Sequence, residues 1–219
     1  MKMMKFHSAS LLSVTLSVFL LGAAPTVSAS VIPQATMVEF ENASLGDQSA
    51  TKSAYEKLLK LDEKNPGNPL IKTVLGSTET MLGRDAWMPW NKMKHVERGL
   101  ARMDKAIELL GPEHMQETFF GLPLPIWVQT TVGCTFVEMP QIFNRLNAGS
   151  EILEETLELE LMQYLPFEGK SSTYLCAAIA AEKAGKTEEA LKYAGAIIEN
   201  APESQEASRA KEMVTRLKG

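Results

Sequence analysis

Apolar and small residues recur at alternating spacings of three and four along most of the chain from residue 45 onward, which is the period of one face of an α-helix. The longest run begins at Pro89, a residue favoured at the first helical position. Met93, Val96, Leu100, Met103, Ile107 and Leu110 follow as a single stripe, which predicts a helix of about 22 residues ending at Gly111-Pro112. Upstream, "SAYEKLLKLDEKNPGNP" carries Ala54, Leu58, Leu61 and Pro66, and "PLIKTVLGSTETMLGR" holds another helix that Gly83 ends. Downstream, "IWVQTTVGCTFVEMPQIFNRL" reads as a helix bent or stopped near Pro140, with "SEILEETLELELMQYLP" as its partner.

The stretch 174–204, "YLCAAIAAEKAGKTEEALKYAGAIIENAPES", contains two short helical patterns around a turn at Gly185 to Thr187. Small residues at Ala177, Ala178 and Ala181 on one side, and Ala190 and Ala194 on the other, allow two antiparallel helices to approach closely. Thr187 followed by Glu188 and Glu189 predicts an N-cap with acids at the positive helix end. Tyr174, the alanine pair, the turn, Ala190, Ala194 and the closing Pro202 come in an order that resembles the tetratricopeptide-repeat signature. Ala177-Ala178 stand where that family has Leu-Gly, and Ala194 where it has an aromatic. Leu75-Gly76 supplies the family's pair directly, with Lys72 in place of the preceding aromatic.

The resemblance covers residues 45–219 as an architecture. It implies an all-α fold in which antiparallel helical hairpins stack as a short solenoid, closed by "SQEASRAKEMVTRLKG" as a C-terminal capping helix. Residues 30–44 read as an irregular segment ahead of the stack. Pro66, Pro112, Pro166 and Pro202 close the units at intervals of 46, 54 and 36 residues, against the family's 34. The surplus falls near 83–92 and 113–125, and insertions in such stacks tend to collect on the binding face.

Those two segments, "RDAWMPWNKMKH" and "ETFFGLPLPIWV", contain or adjoin all three tryptophans. Trp87, Trp90, Phe119, Phe120 and Trp127 are the candidate partner-binding residues, since Trp and Phe offer large area at small entropic cost. The same side chains equally suit filling the gaps left between irregular repeats.

Ahead of the repeats, Lys2 and Lys5 precede the uncharged apolar run "SLLSVTLSVFLLGAA", and Val27 and Ala29 present small residues at a cleavage site. The pattern is that of an export signal over residues 1–29, so the mature chain is expected in the periplasm or secreted. No later apolar run is long enough to span a bilayer. Cleavage removes two lysines and no acid, which moves the formal charge from −5 to −7. A mildly acidic chain without a basic cluster offers no footprint for nucleic acid or an anionic membrane. In an oxidising compartment Cys134 and Cys176 can form a disulfide. Two separately buried thiols fit the sequence as well.

Candidate chemistry is sparse. Glu151, Glu154, Glu155 and Glu158 share a helix face that reads as solvated. His95 and His114 with Met88, Met93 and Met115 lack the repeated spacing of a soft metal site. No phosphate loop, HExxH or nucleophile elbow occurs, so neither an enzyme nor a cofactor is expected. Two functions remain. One is a scaffold of the cell envelope that binds a peptide or helix of another exported protein, through a concave groove and the aromatic insertions. The other is a carrier or assembly factor with an apolar pocket beneath those insertions. Exposed tryptophans would mark the first, and tryptophans around a cavity the second.

Overall fold

Helix formation begins earlier than the apolar pattern suggests. The structure, a computed structural model, describes residues 31–219, so the expected export signal lies outside the described residues. Within them, α1 spans Gln34–Ser44, where the sequence reading placed an irregular segment. Only Thr36, Met37 and Ala43 of this helix are buried, too few to set up a periodic stripe. Its stability comes from packing on the helices that follow rather than from its own pattern.

Four antiparallel hairpins succeed one another. They are α1 with α2 (Gln48–Lys64), α3 (Pro69–Asp85) with α4 (Pro89–Glu108), α5 (Leu124–Glu138) with α6 (Leu146–Glu158), and α8 (Ser171–Lys183) with α9 (Thr187–Asn200). A short helix, α7 (Glu160–Tyr164), follows α6, and α10 (Gln205–Lys218) closes the stack against α9 and α8. The chain is therefore an all-α solenoid of tetratricopeptide-repeat type with a terminal capping helix. Between α4 and α5 the strands β1 (Thr118–Phe119) and β2 (Leu122–Pro123) form a minimal antiparallel hairpin.

Local signals account for several boundaries. The Asp47 carboxylate accepts from the N–H groups of Ser49 and Ala50 at 2.8 and 3.0 Å, and the Asn68 side chain accepts from Ile71 N–H at 3.0 Å. Each satisfies donors that a helix start leaves unpaired. Pro140 stands just beyond the end of α5, as its missing N–H requires. Thr187, by contrast, is the first residue of α9 and not its cap; Lys186 holds the cap position without a side-chain bond. Glu188 and Glu189 still lie in the first turn.

The hairpins cross at paired small residues. A Cβ on Gly76 of α3 would meet the Gly99 carbonyl of α4 at 2.7 Å, and one on Gly149 of α6 would meet the Gly133 carbonyl of α5 at 2.9 Å. Ala178 and Ala190, both fully buried, hold the equivalent places in α8 and α9. Four residues beyond each crossing on the second helix lies a fully buried residue: Met103, Leu153 or Ala194. Ala54 and Leu58 repeat this in α2. One packing rule thus recurs in all four units.

The core divides around α5. Leu58, Ile71, Leu75, Met103, Val132 and Phe136 belong to a first apolar cluster, and Val137, Leu153, Leu175, Ala178, Ile197 and Met213 to a second. A disulfide between Cys134 and Cys176 ties α5 to α8 across 42 residues of sequence. The first two units are joined differently. Glu79 of α3 is fully buried and accepts from Arg102 Nε at 2.7 Å, with Arg98 Nε at 3.1 Å, and Arg102 also reaches Asp62 of α2 at 3.2 Å. A buried carboxylate is tolerable only with such partners. Arg145 links unit three to unit two, gripping Asp104 with both terminal nitrogens at 2.8 and 2.7 Å.

Candidate docking surfaces at the two ends of the stack

In a stack of hairpins every first helix starts at a connection between units and ends at a turn within one. The molecule therefore has two opposite edges. Helix α3 has 17 residues, so the edges stand roughly 25 Å apart along it at 1.5 Å per residue. The candidate aromatics divide between them: Trp87 and Trp90 lie at the α3–α4 turn, while Phe119, Phe120 and Trp127 lie at the α4–α5 connection.

The surplus expected near 83–92 is not a loop. Only Ala86, Trp87 and Met88 separate α3 from α4, and the extra residues lengthen both helices instead. Past its crossing, α3 continues from Gly76 to Asp85, whereas α5 stops at Glu138 and α8 at Lys183. Helix α4 begins ten residues before Gly99, whereas α6 and α9 begin three before Gly149 and Ala190. The hairpin consequently projects beyond its successors as a helical spur, by roughly 6–10 Å at 1.5 Å per residue. Trp87 and Trp90 sit at its tip, 86% and 66% exposed. The end of α3 is braced on the preceding unit: the Arg84 guanidinium donates to the Ala43 carbonyl at 2.9 Å, and Thr51 Oγ1 donates to Asp85 at 3.0 Å. These bonds bring Leu45, 87% exposed in the α1–α2 turn, to the same end of the molecule.

The surplus near 113–125 is an excursion. A 3₁₀ turn (Pro112–Gln116) leads into the β1–β2 hairpin. Its two-residue turn is Phe120-Gly121, with φ of +48° and +76°. Paired positive φ values are the pattern of a type I′ turn, which favours Asn-Gly because bulky side chains are strained there. Phe120 is nevertheless 62% exposed, so burial does not compensate the strain. Phe119 beneath it is buried and meets the Trp127 ring edge-on at 4.8 Å between centroids. Trp127 is half-buried and serves as packing support.

Beside this hairpin opens a cleft of about 770 Å³. Ile32, Met37, Leu70, Phe119 and Leu124 form an apolar floor, with Phe120, Gln34 and Glu117 at the rim. The cleft draws on the N-terminal ends of α1, α3 and α5 together with the insertion, so three units contribute to it. Periodicity in the sequence pointed to none of the α1 residues, because that helix was not legible.

The remaining candidates are dispersed. Helices α3 and α5 present little side-chain surface: no residue is fully exposed in α3 from Pro69 to Gly83 or in α5 from Leu124 to Val137. His95 lies in the first half of α4, 3.9 Å from Glu79, and His114 lies beyond its far end, accepting from Gly111 N–H at 3.1 Å. About 20 Å of helix separates them, with Met93 at the first and Met115 at the second. Glu151, Glu155 and Glu158 are exposed on α6. Burial raises the Tyr193 hydroxyl above its usual range, with Glu189 and Glu154 adding to it.

With the fold in view, its likeness to known structures is clear. A thermophilic tetratricopeptide-repeat protein of Thermus thermophilus superposes with a TM-score of 0.59 over 84% of this chain and 83% of its own, at 16% sequence identity. That likeness establishes the fold. No family model matches the chain, and no curated protein matches it either.

Proposed function

We propose that this protein is a non-catalytic binding scaffold of the cell envelope, and that the cleft beside the β1–β2 hairpin docks an apolar segment of another exported protein. The observation that carries the reading is Phe120, a bulky exposed residue held in a left-handed conformation at the lip of a cleft with an apolar floor and a polar rim. Strain kept without burial points to a task outside the fold. A partner side chain entering the cleft would lie between Val31 and Phe120, over the edges of Phe119 and Leu70, an anchor-in-pocket arrangement like that of interface hot spots. The small surface offered by the first helices favours the insertion over the concave groove. Trp87 and Trp90 lie at the surface and not around a cavity, which favours a scaffold over a carrier.

Two features support an exported setting: the N-terminal sequence pattern and the Cys134–Cys176 disulfide. The test is Phe120→Asn, which supplies the residue this turn prefers. The scaffold reading expects the variant to be as stable as wild type, or up to about 1 kcal/mol more so, and yet to capture a specific envelope protein at least about tenfold more weakly. Unchanged capture would remove the cleft from the account.

A further inference from the structure

The spur lies at the opposite edge from that cleft and carries a different chemistry. We propose that its tip docks the protein onto the surface of an anionic lipid bilayer, with Trp87 and Trp90 at headgroup level and Lys52, Lys92 and Lys94 facing the lipid charge. The surface is independent of the hairpin cleft, so either assignment can fail alone. The geometry is that of a blunt tip: a three-residue turn on two helices that outrun the hairpins following them and lean on the α1–α2 turn. Indole rings, apolar with one N–H donor, prefer the boundary between hydrocarbon and water. Leu45 adds apolar area at the same end.

Charge agrees with the orientation. Lys52, Lys92 and Lys94 are exposed and make no ion pair among the described residues; Lys92 donates to the Arg84 carbonyl at 3.1 Å, which holds it beside the tip. Lys94 follows Trp90 by four positions and shares its helix face. The acids nearest the tip are Glu41, exposed on α1, Asp47, which caps α2, and Asp85, which Arg84 and Thr51 hold and on which Lys92 also acts; Glu138, Glu188 and Glu189 lie on the same edge at the later turns. At the opposite edge Glu108, Glu113, Glu117, Glu160 and Glu168 are all exposed, and they outnumber the exposed Lys60, Lys64 and Lys105 there. An anionic surface repels that edge and admits the spur first. Net charge alone, from which no footprint for such a membrane is expected, does not register how charge is distributed between the two edges.

The experiment is co-sedimentation with phosphatidylcholine vesicles made with and without phosphatidylglycerol, alongside tryptophan emission. The account expects binding to the phosphatidylglycerol vesicles, a blue shift on binding, and weakening as salt is added. Trp87→Ala with Trp90→Ala should weaken binding about tenfold or more without lowering the thermal midpoint, since neither indole is in the core. Lys92→Glu with Lys94→Glu should abolish the preference for phosphatidylglycerol. Absence of co-sedimentation overturns the proposal, as does binding that survives the double tryptophan variant. Attachment of a photoreactive side chain at position 87 to an envelope protein instead of lipid overturns it too.

Discussion

The carbonyl oxygen of Gly99 stands 2.7 Å from the point a Cβ on Gly76 would occupy, and the Gly76 carbonyl stands 2.6 Å from the corresponding point on Gly99. Two helix backbones touch there with no side chain between them. The contact sets the closeness of the α3–α4 hairpin and so the stiffness of the spur that the hairpin becomes.

Substituting Gly76→Ala forces a methyl against backbone that cannot rotate away. Overpacking of this kind costs about 1–3 kcal/mol, more than the helix propensity of alanine returns. Gly195→Ala is the matched control, since its Cβ would meet nothing within 4 Å in the middle of α9. Urea denaturation should show the first variant destabilised, and the second neutral or stabilised by up to about 1 kcal/mol. Equal behaviour of the two would mean that the crossing is looser than described.

Glu79→Gln keeps the shape of a fully buried side chain and removes the charge that Arg98 and Arg102 share. Arg98 can turn toward water, while Arg102 keeps Asp62. The expected loss is about 2 kcal/mol, between that of a charged hydrogen bond and that of a broken buried pair. A thermal midpoint indistinguishable from wild type would show the network to be dispensable.

Reducing the Cys134–Cys176 bridge frees a 42-residue separation in the unfolded chain. The chain-entropy relation puts the effect at about 3–4 kcal/mol. Hydrogen exchange after reduction should quicken most in α5, α8 and α9, with α2 to α4 changing less. A uniform change along the chain would contradict the division of the core around α5.

Acid should weaken the bracing of the spur against the α1–α2 hairpin. The Arg84 guanidinium, 2.7 Å from Asp85, holds that carboxyl below its usual range, and the Thr51 hydroxyl assists. The folded pKa is thus lower than the unfolded one. The stability this provides is present above the unfolded value, near pH 4, and is lost as pH falls through the folded value. Asp85→Asn should flatten the decline of stability below about pH 4 relative to wild type, and parallel curves would argue against the assignment. Glu39, held down by Lys57, adds to the same acid limb in both proteins.

How much of this could be read from the chain depended on spacing. Leu75-Gly76 announced a first helix, but its partner Gly99 comes 23 positions later, about twice the distance found in the 174–204 unit, so the pair was not seen as one. Gly133 and Gly149 are 16 positions apart inside the longest interval, where no Leu-Gly pair marks the first helix. The form of the surplus near 83–92 is not legible from spacing: stripe periodicity shows that a helix continues, and not that it outruns the hairpins after it. Phe120 escaped notice as a turn residue because propensity excludes phenylalanine from left-handed backbone. Helix α1 was missed because tertiary packing, and not a local stripe, sustains it.

The central claim is that the β1–β2 hairpin is where a protein partner docks. The most direct measurement places a photoreactive side chain at position 120 in the intact envelope, with a second chain labelled at the exposed Lys192 of α9 as reference. The account predicts one discrete adduct at position 120, identified as an exported protein, that is absent at position 192. No adduct at 120, or the same set of adducts from both positions, would contradict it.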